Sequence, residues 1–386
     1  MIPKHDYMIV GSGLAGSVLT NLLTNRGKTV LVVESRKHAG GNIVEKIMDG
    51  IPVHQYGPHI FHTDNEIIWD LVNKYTEFDT TYIHSPIAIS DGIQYNLPFN
   101  MNTFTKIFNV YKVSDVAKAI MNEINACKFD YKNPKNLEEK AISMIGTTVY
   151  QKLIRDYTEK QWNKKCTDLP PDIIARIPFR LTYNNRYFND RFQGIPVCKN
   201  GKGGYQILIE NLLYQNKHRV DVLTNWRIEN IQQLKAVKER YNCDKIIYTG
   251  RIDTLFGVDA LEFRSCDFIH EKIKMSNMYG NSVINICDKS KDATRIIEHK
   301  NFYQRNYEIL SKPYTYVTYE YPCEPDSDSE PLYPINDKRN QEIYEKFKAM
   351  AERENIILCG RLAEYKYYDM DDVIQSAMDC YEKLPL

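Results

Sequence analysis

The chain has 386 residues, and its 50 Lys and Arg residues balance 50 Asp and Glu residues. This zero formal charge gives no general attraction to nucleic acid or to an anionic membrane surface, so an anionic ligand needs a local basic cluster. The length predicts two or three domains. No apolar run of about 18 residues predicts a membrane span, and the first residues lack the pattern of a signal peptide.

The nine cysteines are scattered along the chain without a CxxC pair. This spacing favours neither a disulfide framework nor a zinc site, so we expect no metal and a reducing, cytoplasmic location.

A βαβ unit opens the chain. The apolar strand Tyr7 to Val10 precedes GSGLAG, an apolar helix follows, and a second strand from Thr29 to Val33 ends at Glu34. In this context Gly11 permits the tight turn, Gly13 lets the backbone approach a pyrophosphate, and Gly16 lets the helix pack on the strand. The sequence therefore predicts a dinucleotide site at the N-terminus of this helix.

The layout favours FAD over NAD as the dinucleotide. Glu34 is placed to accept hydrogen bonds from ribose hydroxyls, and Arg36 with the pair Gly40–Gly41 extends the contacts beyond the second strand. Strands that end in Thr249–Gly250 and Gly360–Arg361 far downstream suit a long cofactor that needs several loops.

The remaining chain divides by its patterning. Residues 104–176 show helical periodicity, and Tyr157 shares one predicted helix face with Tyr150, Leu153 and Ile154. Residues 178–194 and 260–320 predict antiparallel strands. The acidic stretch from Glu320 to Pro331 predicts an exposed loop.

Ten segments resemble the UDP-galactopyranose mutase family of bacterial type, in family order over almost the whole chain. They are HQYGPHIFHTDN, YNLPFNMNTF, YTEKQW, LPPDIIARIPFR, NNRYFNDRFQGIP, TGRID, FRS, TRIIEHK, LYPIND and GRLAEYKYYDMDDVI. The resemblance implies an α/β fold: an FAD-binding Rossmann-like domain with an inserted helical domain and an inserted antiparallel β-sheet domain. The implied boundaries are 1–80, 195–260 and 338–386 for the FAD domain, 100–176 for the helical substrate domain, and 81–99, 177–194 and 261–337 for the sheet domain.

The resemblance also implies an isomerase that interconverts the pyranose and furanose forms of UDP-galactose, or of a close UDP-hexose. Reduced FAD would act as the nucleophile through a covalent flavin–sugar adduct. Departures from the family pattern at Leu153–Ile154 and at His84–Pro86 leave the sugar open between galactose, N-acetylgalactosamine and a deoxy-hexose. A homodimer or higher homo-oligomer is expected, with neither nucleic acid nor a membrane as partner.

Site residues follow from the matched motifs. Arg176 and Arg295 correspond to the two arginines that hold the departing diphosphate, a role for which guanidinium groups suit phosphate oxygens. Substrate contacts are assigned to His84, Tyr157 (stacked on uracil), Thr158, Trp162, Tyr187, Arg264, Asn285, Tyr333 and Tyr367. Cofactor contacts are assigned to Gly11, Ser12, Gly13, Gly16, Glu34, Ser35, Gly41, Asn42, His59, Phe61, His62, Arg361, Tyr368, Asp369 and Met370.

Two other functions compete with this interpretation. An FAD-dependent oxidoreductase of the amine-oxidase type would share the dinucleotide domain, although two phosphate-binding arginines do not suit an apolar amine cage. A binding protein related to prenyl-GTPase escort factors would keep the glycine loop without flavin chemistry.

Overall fold

The computed structural model describes residues 4–199, 202–325 and 330–384; the side chains of Ala175, Arg176 and Lys202 lie outside that description. Two compact units are present. Unit 1 comprises residues 1–79, 195–263 and 331–386, and unit 2 comprises residues 80–194 and 264–330. Among the described helices, none is long and apolar enough to cross a membrane.

The helices and strands fall in chain order as follows. The helices are α1 (Leu14–Asn25), α2 (Glu66–Tyr75), α3 (Met101–Phe108), α4 (Val113–Asn125), α5 (Leu137–Ile145), α6 (Thr147–Tyr150), α7 (Asp156–Trp162), α8 (Gly204–Tyr214), α9 (Ile231–Arg240), α10 (Ile252–Leu255), α11 (Tyr307–Leu310), α12 (Lys338–Arg353) and α13 (Met370–Glu382). The strands are β1 (His5–Val10), β2 (Val30–Val33), β3 (Glu45–Met48), β4 (Ile51–His54), β5 (Phe61–Thr63), β6 (Phe78–Asp79), β7 (Ile87–Ser90), β8 (Ile93–Asn96), β9 (Phe192–Pro196), β10 (Cys198–Lys199), β11 (Lys202–Gly203), β12 (Val220–Leu223), β13 (Cys243–Tyr248), β14 (Phe263–Ile273), β15 (Val283–Ile286), β16 (Arg295–Glu298), β17 (Thr315–Cys323), β18 (Tyr333–Pro334) and β19 (Ile356–Leu358).

Unit 1 is built on a parallel sheet of order β12-β2-β1-β13-β19. Side chains alternate between its two faces, because successive residues of a strand point to opposite sides. Tyr7 and Ile9 therefore pack with α1, α8 and α13, whereas Met8 and Val10 pack with α9 and α12. Both faces are covered, as is typical of parallel sheets, and the predicted Rossmann-like fold is confirmed.

Unit 2 contains a mainly antiparallel sheet of order β14-β17-β16-β15-β7-β8. The pair β15–β7 is the exception, since these strands run parallel. A separate apolar core joins α3, α4, α5 and the segment from α6 to α7. The predicted helical region and the predicted strands of 260–320 thus fall in the same compact unit, and their division into two domains stays a prediction.

One strand prediction was wrong. Residues 178–191 are mostly irregular, and regular pairing starts only at β9. Asparagine side chains explain the difference because they compete with a strand ladder for backbone hydrogen bonds. Asn184 accepts from the backbone N–H of Arg186 at 2.9 Å, and Asn185 accepts from the side-chain amides of Asn100 at 2.6 Å and Asn102 at 2.9 Å.

Candidate functional site

The glycine loop of unit 1 is open beside Gly13 and filled by backbone beside Gly16. A Cβ on Gly16 would lie 2.0 Å from the carbonyl oxygen of Gly11, so this position is filled by backbone. A Cβ on Gly13 would meet only the Cα of Gly41, at 3.7 Å. Gly13 and Gly41 thus meet backbone to backbone at the start of α1, where a Cβ on Gly41 would lie 2.8 Å from the Gly13 Cα. This arrangement fits the approach of a pyrophosphate to the helix N-terminus.

Glu34 fixes the loop from the end of β2. Its Oε2 accepts from the backbone N–H of Ser12 at 2.8 Å and from the Ser12 hydroxyl at 2.6 Å. Its Oε1 accepts from the Arg36 N–H at 2.8 Å and from the Ser35 hydroxyl at 3.3 Å. The guanidinium of Arg36 in turn donates to Asn42 at 2.9 Å. The predicted ribose acceptor therefore also organises the glycine loop and the segment after β2.

The two late strand–glycine junctions reach the same loop. Thr249, after β13, donates its hydroxyl to the Val10 carbonyl at 2.8 Å and lies against Gly11. Gly360, after β19, has a φ of +88° and approaches Ala15 of α1 so closely that a Cβ would lie 2.9 Å from the Ala15 side chain. Thr249 and Gly360, each more than 200 residues from the glycine loop in sequence, thus lie beside it at the carboxyl ends of neighbouring strands.

A buried pair holds the histidine segment of unit 1. The side chains of Glu45 and His54 are each 1% exposed, with 3.1 Å between Glu45 Oε1 and His54 Nε2. His54 Nδ1 accepts from the backbone N–H of His59 at 3.0 Å, so the imidazole proton lies on Nε2, facing Glu45. Glu45 Oε2 also accepts from the N–H of Tyr205 at the start of α8, at 2.8 Å. The sequence singled out His59 and missed the pair behind it.

The neighbouring residues of this segment divide by burial. Phe61 is fully buried and packs its ring on Trp69 and Phe78, with centroids 6.1 and 5.5 Å away. His62 is half-buried and lies near enough to Asp371, in the first turn of α13, to oppose the rise in the pKa of that carboxyl. Phe61 thus belongs to the core of unit 1, and cofactor contact by these side chains stays a prediction.

The C-terminal loop of unit 1 gathers several predicted residues. The rings of Tyr333 and Tyr367 stack at 5.6 Å with an interplanar angle of 11°. The Arg361 guanidinium lies 5.5 Å from the Tyr367 ring centroid and donates to the backbone carbonyl of Tyr368. Asp369 caps α13, and its N–H donates to Asp372 at 3.0 Å, so that Met370 is the first helical residue.

A row of polar side chains crosses three strands of unit 2. Asn285 on β15 pairs with Arg295 on β16, and Arg295 pairs with Glu320 on β17. Residues directly opposite one another share a face of the sheet. Arg295 Nη1 lies 3.2 Å from Glu320 Oε2; the Glu320 side chain is fully buried, whereas 21% of the Arg295 side chain is exposed. The carboxylate therefore orients a guanidinium that solvent, or an anion, can reach.

Tyr157 meets this row from α7. Arg295 Nη2 donates to the Tyr157 hydroxyl at 2.8 Å. Burial raises the pKa of Tyr157, while Arg295 opposes that rise. The phenol therefore stays neutral at physiological pH and accepts this hydrogen bond. Thr158 is buried beside Tyr157, and Trp162 is the last residue of the helix.

The helix that carries Tyr157 is irregular. One wide π turn, Gln151–Arg155, separates α6 from α7. Leu153 and Ile154 are buried in the helical core of unit 2, whereas Tyr157 is half-buried. Tyr157 still packs against the same core as Tyr150, Leu153 and Ile154, although a π turn lies between them. Such turns inside helices occur often at functional sites.

Arg264 has partners that stabilise the end of α7. It is 3% exposed; its Nε donates to the Gln161 carbonyl at 3.0 Å, and its Nη1 forms an ion pair with Glu324. The contacts that the structure gives Arg264 are thus within the protein, and its predicted contact with substrate stays untested.

His84 and Tyr187 come together in unit 2. The backbone N–H of Tyr187 donates to the His84 carbonyl at 2.7 Å, and their rings lie edge to face at 5.5 Å. His84 also stacks on Phe188 at 5.4 Å, and its Nδ1 lies 3.0 Å from the hydroxyl of Tyr82. His84 and Tyr187 were predicted as substrate contacts, whereas Phe188 was not, although it lies in the matched segment NNRYFNDRFQGIP. Tyr82 lies outside every matched segment.

The second predicted diphosphate arginine, Arg176, ends the short 3₁₀ helix Pro171–Arg176. Its side chain lies outside the described residues, so its role stays a prediction.

The prediction of an exposed loop from Glu320 to Pro331 was wrong at its start. β17 continues to Cys323, and Glu320 is fully buried beneath Arg295. The acidic and proline-rich composition was taken as a loop signal, whereas Glu320 is buried as the partner of a guanidinium. Only the strand pairing identifies this residue as part of the site.

Comparisons with known proteins bear on the whole chain. The family model of UDP-galactopyranose mutase matches residues 152–367, and that of an NAD(P)-binding Rossmann-like domain matches residues 9–75. A Klebsiella pneumoniae protein named probable UDP-galactopyranose mutase is 33% identical over 97% of this chain and 93% of its own. A dTDP-fucopyranose mutase of Escherichia coli is 32% identical over 97% of both chains.

A crystal structure of reduced UDP-galactopyranose mutase covers 98% of this chain and 95% of its own, with a TM-score of 0.75 and 13% sequence identity. At that identity the likeness shows the fold alone. The family match and the full-length relatives extend it to function: the chain belongs to the UDP-galactopyranose mutase family and is an isomerase with a flavin-type cofactor.

Proposed function

We propose that this protein interconverts the pyranose and furanose forms of a UDP-hexose, UDP-galactose first among them, with reduced FAD as its cofactor. The observation that carries the proposal is the Arg295–Tyr157 contact of unit 2. A guanidinium with a buried carboxylate behind it meets the hydroxyl of a half-buried aromatic side chain. A nucleoside diphosphate needs both kinds of group, one for the phosphates and one for the base.

Unit 1 supports FAD as the flavin. Apart from the Gly41 Cα at 3.7 Å, a Cβ on Gly13 would meet nothing, so a pyrophosphate can approach the backbone at the N-terminus of α1. Glu34, which ends β2, offers carboxylate oxygens where the ribose of a dinucleotide is expected. The Arg361 loop and the N-terminus of α13 supply further donors on the same unit. Bound reduced flavin supplies the nucleophile that replaces the nucleoside diphosphate at the anomeric carbon of the sugar.

The residues of unit 2 would hold the leaving group. When the anomeric C–O bond breaks, negative charge grows on the diphosphate, and a guanidinium already fixed in place stabilises that charge without reorganisation. Arg295 is fixed in this sense, because Glu320 and Tyr157 both bind it. Arg176 is proposed as the second cation. Tyr157 would stack on the base, and Asn285, next to Arg295 in the sheet, would contact the sugar.

A dTDP-deoxyhexose is the second candidate substrate. The E. coli dTDP-fucopyranose mutase is 32% identical to this chain, against 33% for the Klebsiella protein, so identity does not separate the two nucleotides. Both candidates share the diphosphate and a pyrimidine that stacks on an aromatic ring.

A substrate panel tests the proposal. Dithionite-reduced holoenzyme would be incubated with UDP-galactose, UDP-N-acetylgalactosamine and dTDP-fucose, and the ring isomers separated by chromatography. We expect the largest kcat/KM for UDP-galactose, while a larger value for dTDP-fucose would establish the second candidate. Failure to isomerise any member of the panel would refute both.

A further inference from the structure

The loop between β15 and β16, residues 287–294, is gathered around one side chain of α7. The ammonium nitrogen of Lys160 lies within hydrogen-bond distance of four backbone carbonyl oxygens, so at least one of its three N–H groups is shared between two of them. The distances are 3.0 Å to Ile286, 2.9 Å to Asp288, 2.9 Å to Lys291 and 3.1 Å to Ala293. The first carbonyl ends β15, and the last directly precedes Thr294 and β16. Lys160 thus holds both ends and the middle of the loop.

Four carbonyl dipoles that point at one spot repel one another unless a cation lies there. An ammonium supplies a charge and three N–H donors, and an apolar side chain such as methionine supplies neither. Backbone bonds also hold the ends of the loop: the N–H of Ile286 donates to Thr294 O at 2.8 Å, that of Cys287 to Ile89 O at 2.8 Å and that of Thr294 to Glu320 O at 2.9 Å. None of these three bonds satisfies the four carbonyls that surround Lys160, although the Asp288 carbonyl also accepts from the Lys291 N–H at 3.2 Å. Loss of the cation therefore leaves the carbonyls to turn outwards towards water.

This loop joins two residues of the proposed nucleotide site. Asn285 lies just before Ile286, and Arg295 lies two residues after Ala293. The same helix carries Tyr157, one turn before Lys160, and Arg295 donates to its hydroxyl. α7 and the β15–β16 hairpin are thus joined twice, once at the base-stacking ring and once through Lys160.

We propose that Lys160 is a positioning residue for nucleotide binding: it acts as a tethered ammonium ion that holds the 287–294 loop against α7 and so sets Arg295 relative to Tyr157. The inference rests on the proposed function, because the nucleotide is its readout. Lys160 itself touches no substrate in this account.

A matched pair of variants separates positioning from stability. Lys300, five residues after Arg295 in the chain, is 2% exposed and donates to three backbone carbonyls outside the 287–294 loop, those of Ser276 at 2.9 Å, Lys312 at 2.5 Å and Tyr314 at 3.3 Å. Lys160→Met and Lys300→Met each remove one carbonyl-bound ammonium and keep an apolar stem. We expect both to lower Tm, but only Lys160→Met to weaken UDP binding, by about tenfold, as loss of charge-assisted hydrogen bonds suggests.

Chemical rescue tests whether the cation is what matters. In Lys160→Ala, added methylammonium should restore UDP affinity in a saturable manner, because its N–H groups can enter the carbonyl cluster. Tetramethylammonium at the same concentration carries the same charge without a donor and should restore nothing. Equal effects of the two salts would refute the tethered-ammonium role.

The outcomes also separate this inference from the function on which it rests. Calorimetric titration of the wild-type holoenzyme with UDP comes first, and absence of binding there would sink the proposed function. If the wild type binds UDP and Lys160→Met binds it with the same affinity, only the role of Lys160 is refuted. Should Lys160→Met prove insoluble, Lys160→Arg decides instead. Arginine keeps a cation with N–H donors at this position, so the Lys160→Arg variant must bind UDP more tightly than the Lys160→Ala variant.

Discussion

The proposed cofactor side in unit 1 and the proposed nucleotide side in unit 2 are built in different ways. The glycine loop presents backbone, and its one carboxylate, Glu34, binds neighbouring N–H groups of the loop itself. The nucleotide side presents charged side chains on neighbouring strands. Glu320 binds Arg295, and Lys160 binds the carbonyls of the loop between β15 and β16. Shape dominates in the first region and fixed charge in the second.

The difference determines how each region should respond to substitution. A site made of backbone fails when a side chain is added, since the added atoms occupy the ligand's place. A site made of preorganised charges fails when one charge is removed, while the fold around it survives. The four predictions that follow use this contrast, from the largest expected effect to the smallest.

The Arg295→Ala variant should lower kcat by about a hundredfold to a thousandfold, since one preorganised donor at a developing anion contributes this much. Flavin content should stay at the wild-type level because Arg295 belongs to unit 2. Steady-state kinetics and the flavin absorbance of the purified protein measure the two. Arg305, exposed in the same unit, provides the control, and comparable losses in Arg305→Ala and Arg295→Ala would contradict the assignment.

Two glycine variants should separate fold from cofactor. In Gly16→Ala the new Cβ meets the Gly11 carbonyl at 2.0 Å, so unfolding should become easier by about 3 kcal/mol, as for overpacking. In Gly13→Ala the apo-protein should keep its Tm within a few degrees, whereas flavin affinity should collapse. Apo-protein melting and flavin titration distinguish the two, and full flavin retention in Gly13→Ala would argue against a pyrophosphate at the loop.

Two substitutions of Tyr157 separate the ring from the hydroxyl. Tyr157→Ala removes the stacking surface and should weaken UDP binding by about 1–3 kcal/mol. Tyr157→Phe keeps the ring and loses only the contact with Arg295, so a smaller loss of about 1 kcal/mol is expected. Titration calorimetry gives both values. Unchanged affinity in Tyr157→Ala would remove this residue from the nucleotide site.

A pH-dependent effect is expected at Asp371 in the first turn of α13. Burial, with the neighbouring charge of Asp372, raises the pKa of Asp371 above its ordinary 3.8. Ionised Asp371 therefore destabilises the folded state above the raised pKa, and the penalty fades as pH falls towards 3.8. Asp371→Asn should raise the melting temperature slightly at pH 7 and not below the ordinary pKa. An equal gain at every pH would contradict the titration.

The sequence predicted the Rossmann-like fold of the proposed cofactor side well because its signal is local. GxGxxG, the strands around it and the capping residue Asp369 lie within short windows, and each residue type follows from backbone geometry. Although His54 opens the segment HQYGPHIFHTDN, the pair Glu45–His54 escaped notice because Glu45 lies outside the matched segments. Its meaning comes from the β3–β4 pairing and from α8, which begins about 160 residues after Glu45.

On the nucleotide side the sequence identified the residues proposed to bind the nucleotide and missed the residues that hold them in place. Arg295 and Tyr157 came from the family motifs, and the structure places them in contact. Glu320 was assigned to a loop, and Lys160 passed without comment inside YTEKQW. The role of Glu320 depends on the register between β16 and β17, and that of Lys160 on the carbonyls of the β15–β16 hairpin. Neither feature is visible in a single stretch of sequence. The irregular backbone of 178–191 escaped for a related reason, since asparagine side chains took the place of strand partners.

One measurement tests the central claim most directly: conversion of UDP-galactose by the same holoenzyme before and after reduction with dithionite, with nucleotide sugars and oxidised products quantified together. The account predicts ring isomerisation by the reduced enzyme alone, with no net oxidation of the sugar. Oxidation of a donor in step with oxygen consumption, without isomerisation, would contradict it and would favour the amine-oxidase type of chemistry.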